Sequence, residues 1–212
     1  MSMANAERDQ LKIKLREMIA EGDDGIDLDT DFRWVISGIK QPEPFFRNLS
    51  FLLSPDCILY FEGCTIASDV SNFYKSHKAG NTVAVRRDTI FPDPECFHVS
   101  FTPEVIDRLC KFAASHQSNE LFDHVKAYRG KELIFTFHDA LAGDLLVSEQ
   151  IIESAVAKFS GTLGIGFHRE PNIRHKRSEG LETILKAMEN PRKVRIRGES
   201  WWNRLRRCWT WK

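Results

Sequence analysis

Residues 131–150 read KELIFTFHDALAGDLLVSEQ, and the reading of this stretch decides the fold. Leu133–Phe137 is too short for a helix of ordinary length and is rich in β-branched and aromatic residues. It therefore predicts a strand covered on both faces. In an extended chain Leu133, Phe135 and Phe137 point one way, and Ile134, Thr136 and His138 the other. Asp139 and Gly143-Asp144 interrupt the run, and Leu145-Leu146-Val147 resumes it. Two continuations fit: a hairpin, or a strand and loop leading into a helix capped by Ser148.

The end of a rigid, buried strand is a favourable place for chemistry. His138 and Asp139 there supply a candidate general base with a carboxylate beside it. The same pair also fits a turn-capping aspartate next to a half-exposed edge histidine, since adjacent strand residues face opposite ways. A second strand over Cys57–Phe61 ends at Glu62, which gives another strand-end carboxylate. The candidate catalytic set is Asp139, His138 and Glu62, with His168 as an alternative proton carrier. Strand-end acids can also hold a divalent ion. Zinc spacing, a P-loop, HExxH and GxSxG are all missing, so neither a metal nor a cofactor is expected.

Upstream, residues 6–21 predict a helix with Leu11, Leu15, Met18 and Ile19 on one side. Asp27, Asp29 and Asp31 alternate as ligands of a calcium loop do, yet Phe32 and Gly38 stand where that loop needs Gly and Glu, so a solvated acidic loop is expected. Phe32–Ile36 predicts a strand, Gln41–Phe46 a loop, Phe46–Leu53 a short helix, and Ser68 starts a helix. Thr82–Val85 and Phe97–Phe101 predict further strands. Thr102-Pro103-Glu104 opens a helix with a capping hydroxyl, an early proline and an acid facing the dipole. Asn119–Arg129 predicts another helix, with Leu121, Phe122 and Val125 inward. Ser160–Phe167 is glycine-rich but follows a helix and lacks the phosphate-loop lysine, so its glycines are expected to close the helix and feed a strand over Ile165–Arg169. A last helix is expected around Leu181, Ile184, Leu185 and Met188.

These elements predict an α/β or α+β fold: a mixed β-sheet flanked by helices in one domain, residues 1–190, followed by a basic aromatic tail, residues 191–212. The chain has 212 residues and a net charge of zero, but the tail carries +7 and the body −7. In the tail, Trp201, Trp202, Leu205 and Trp209 form one stripe of a helix, with Arg204, Arg206 and Arg207 at its sides and back. Such a helix can anchor a protein partner, lie on an anionic membrane surface, or pack on the chain's own acidic body. Nucleic acid is disfavoured by the body's negative charge. Five scattered cysteines, without a CxxC pair or a leader-like segment, fit a reducing cytoplasmic setting. The expected function is a non-enzymatic module binding a protein partner through the tail. The alternatives are a small hydrolase or acid–base enzyme, and a peripheral membrane protein.

Overall fold

In the computed structural model the described residues are 25–89 and 93–172, together with 9, 10, 12, 13, 15, 16, 184–186 and 188. The chain divides into two compact units, residues 24–174 and a second made of 1–23 with 175–212. In the second unit the described residues are helical, and Leu15 and Met188 are buried.

The larger unit is α+β. Seven strands form one sheet: β1 (Phe32–Ile36), β2 (Ile58–Gly63), β3 (Glu95–Ser100), β4 (His124–Arg129), β5 (Glu132–Phe137), β6 (Leu145–Ser148) and β7 (Phe167–Pro171). Their order is β3-β2-β4-β5-β6-β1-β7, and every neighbouring pair is antiparallel. The expected mixed sheet is thus corrected to an antiparallel one. Parallel neighbours need helical crossovers, whereas the central pairs β4–β5 and β5–β6 are joined by short returns.

Helices α1 (Pro42–Asn48), α2 (Ser68–Ser76), α3 (Pro103–Ala113), α4 (Ser118–Leu121) and α5 (Glu153–Leu163) complete the unit. α1 occupies the span expected to be a loop, because Pro42 sits in the first turn, where its missing N–H costs nothing. Thr102 caps α3 as expected, its hydroxyl accepting from Val105 N–H at 3.2 Å. Gly164, at φ 68°, ends α5 in the left-handed region.

One face of the sheet carries the main core. Leu59 and Phe61, Val125 and Ala127, Phe135 and Phe137, and Leu145 and Val147 cluster there with Phe45, Phe46, Leu109 and Phe159 of the helices. Phe45 meets Phe135 and Phe137 edge-on at 6.0 and 5.2 Å, and Tyr74 stacks on Phe61 at 4.4 Å. On the other face Leu28, Tyr60, Val85, Tyr128 and Leu133 form a smaller cluster, where residue 26 bridges residue 85. That bridge is all that forms of the strand expected over Thr82–Val85.

Two local corrections matter for the site. Residues 124–129 are a strand, not the second half of a helix, and only Ser118–Leu121 is helical. The β4–β5 register shifts at Ala127/Tyr128, so β5 holds one extra residue. This bulge puts Ile134 in the main core beside Phe135 and sends Leu133 to the opposite cluster. The strand over 133–137 otherwise stands as expected, buried in the middle of the sheet. Of the two continuations the hairpin is the one formed, and Ser148 ends β6 instead of opening α5.

Candidate functional site

The antiparallel register builds a polar row on the second face of the sheet. Glu62 of β2 lies opposite His124 of β4. Val125 pairs with Phe137, so the next step brings His124 against His138; their rings meet edge-on with centroids 5.4 Å apart. Two residues further along each strand, Tyr60, Lys126 and Thr136 form a second row across the same three strands. Side chains alternate along each strand, so these six residues share one face.

Residues 86–89 close over the two rows. The Asp88 N–H donates to both oxygens of Glu62, at 3.2 and 3.1 Å, and the Thr89 N–H donates to Glu62 Oε1. The Tyr60 hydroxyl adds a 3.3 Å bond to Oε2. Glu62 is 0% exposed, and these donors are what make a buried carboxylate tolerable there. Lys126, 1% exposed, donates to Arg86 O at 2.6 Å and lies 2.7 Å from Asp88 Oδ2. His138 Nδ1 lies 3.2 Å from the same oxygen, and its Nε2 lies 3.1 Å from Thr136 Oγ1.

Burial opposes ionisation of Asp88, but the hydrogen bond from His138 and the charge of Lys126 outweigh it and hold the carboxyl well below the usual carboxylate range. Burial, reinforced by the Glu62 charge, pushes the Tyr60 phenol far up, so it stays a hydrogen-bond donor. The Asp88 and His138 side chains keep 19% and 33% of their surface, so the cluster opens at that end. A separate depression of about 200 Å³ lies over β2 and β3, lined by Tyr60, Ala84, Val85, Arg87, Cys96 and His98.

The turn after His138 is strained. Asp139, Ala140 and Leu141 all have positive φ, at 57°, 46° and 77°. Non-glycine residues keep such angles only where surrounding contacts insist on them. Here Ala140 N–H donates to Asp123 O at 2.7 Å and Asp139 N–H to His124 Nδ1 at 3.3 Å.

Of the residues singled out from the sequence, Glu62 and His138 stand in this cluster, linked through Asp88. Asp139 meets it only through its backbone: its side chain is exposed and takes no hydrogen bond or ion pair among the described residues. His168 lies on β7, 3.7 Å from Glu170, away from the cluster. Asp88, His124, Lys126 and Thr136 were not foreseen as site residues. The sequence signal for two of them is the alternation His124-Val125-Lys126-Ala127, which reads correctly only once the segment is taken as a strand. Trp201, Trp202, Leu205, Trp209, Arg204, Arg206 and Arg207 lie outside the described residues. Among the described residues no helix is long and apolar enough to cross a membrane.

Asp88, His124 and His138 are also a metal-ligand set: one ligand atom from each lies within 4.8 Å of the others. Comparison with protein-family models, curated proteins and solved structures finds no match.

Proposed function

We propose that the chain is a small hydrolytic enzyme working at the cluster of Glu62, Asp88, His124 and His138. The observation that carries this reading is convergence. Two imidazoles and a carboxylate from three separate segments meet at the open end of the central strands, within 4.8 Å of one another. A polar substrate held there would face the groups that orient and activate water in hydrolysis. Buried Glu62 fixes the covering loop by its backbone N–H groups, and Lys126 fixes Asp88. The strained turn at 139–141 supports the reading, since such strain gathers at functional sites.

The test is turnover of p-nitrophenyl acetate, p-nitrophenyl phosphate and bis-p-nitrophenyl phosphate by the full chain and by His138→Ala, with folding checked by circular dichroism. At least one substrate should turn over, and the variant should lose on the order of a hundredfold. An inert wild type on all three substrates, or undiminished turnover in the variant, overturns the proposal.

The second reading is a module binding a protein partner, or a membrane surface, through residues 191–212. What supports it is the +7 tail on a −7 body. Deleting residues 199–212 should then abolish capture of anionic vesicles or of an acidic partner; unchanged capture removes this reading.

A further inference from the structure

We infer that Asp88, His124 and His138 bind one divalent transition-metal ion of the zinc class. This deepens the hydrolytic reading and rests on the same cluster. Two histidines and one carboxylate are the donor set that open, water-carrying sites of this class use. With bonds of about 2.1 Å, two ligands of one ion stand at most about 4.2 Å apart. The three ligand atoms here lie within 4.8 Å of one another, close to that limit.

The second observation is a buried oxygen. Asp88 Oδ2 faces Lys126 Nζ at 2.7 Å and His138 Nδ1 at 3.2 Å, so a metal here would take the place of the proton that His138 Nδ1 shares with this oxygen. The outer contacts fit as well. Thr136 Oγ1 lies 3.1 Å from His138 Nε2, and a proton held there leaves Nδ1 free to ligate. Ligation at His124 Nδ1 would displace the long 3.3 Å hydrogen bond that this nitrogen accepts from the Asp139 N–H.

Charge points the same way. Two carboxylates, Glu62 and Asp88, face this cluster, and a dication would add to the positive charge that Lys126 already sets against them. Lys126 holds Asp88 in place through the same Oδ2, at 2.7 Å. The Asp88 and His138 side chains keep 19% and 33% of their surface, so water or substrate would have access to an ion held there.

The experiment uses the full chain, stripped with chelator and titrated with Co²⁺, followed by its visible d–d absorption and by competition with Zn²⁺. One equivalent should bind at micromolar concentration. His124→Ala and His138→Ala should each lose at least about a hundredfold in affinity, and Thr136→Val, which preserves shape, about tenfold. Absence of saturable binding at one equivalent overturns the site, and so does an affinity unchanged in both His138→Ala and Thr136→Val. The two proposals separate cleanly. Turnover that survives chelation in a protein that takes no Co²⁺ removes the metal and keeps the hydrolytic reading. Tight Co²⁺ binding without turnover does the reverse.

Discussion

Lys126 shows how much of the site depends on single side chains. Its ammonium is buried on β4, and the Asp88 carboxylate and the Arg86 carbonyl are its partners. Removing it leaves Asp88 as an uncompensated, largely buried charge. Lys126→Met should therefore cost about 3–5 kcal/mol in urea unfolding, and adding Asp88→Asn should recover part of that. A loss under about 1 kcal/mol would show that the pair is already solvated. His98 makes a pH-dependent contribution. Burial, with Lys78 nearby, lowers its pKa, and its Nδ1 lies 2.9 Å from the Tyr128 hydroxyl. The unfolded chain then binds the proton more readily, so stability falls as pH drops below about 6.5 and keeps falling until the folded-state value is passed. His98→Gln should flatten that slope; an unchanged slope contradicts the assignment. At this scale Glu62 and His138 were legible because each closes an apolar run. Asp88 was not, because a loop carboxylate shows its partners only after the chain has folded.

At the scale of elements, β4 is the instructive case. Leu121, Phe122 and Val125 have helical spacing, and Gly130 stands where a helix would stop, so the segment reads as a helix over 119–129. The competing signal is alternation over 124–129, and burial of both faces hides it: His124, Lys126 and Tyr128 are as buried as Val125 and Ala127. A helix there leaves His124 and Lys126 off the inward stripe of Leu121, Phe122 and Val125, and so conceals half of the cluster. β5 was legible because its apolar run is short and bounded. Its bulge was not, since one extra residue leaves no mark in composition. Phe135 is fully buried against Phe45. Phe135→Ala should therefore destabilise by about 3–5 kcal/mol in chemical denaturation, as a core truncation. A cost under about 1 kcal/mol would contradict its central position.

At the scale of the molecule, an apolar sheet face under helices and a second face carrying a polar cluster follow from one alternation of side chains. The α+β character was legible in the mixture of strand and helix signals. The antiparallel order was not, because strand direction depends on which strands become neighbours, and β1 enters between β6 and β7 from far along the chain. Both functional proposals depend on β4 pairing with β5 so that His124 faces His138. The most direct test is a nuclear Overhauser measurement on the full chain with labelled histidines. The account predicts cross-peaks between the His124 and His138 rings, whose centroids lie 5.4 Å apart, together with strand-type contacts between 125 and 137. Helix-type contacts running through 119–129, with no cross-peak between the two rings, would contradict it.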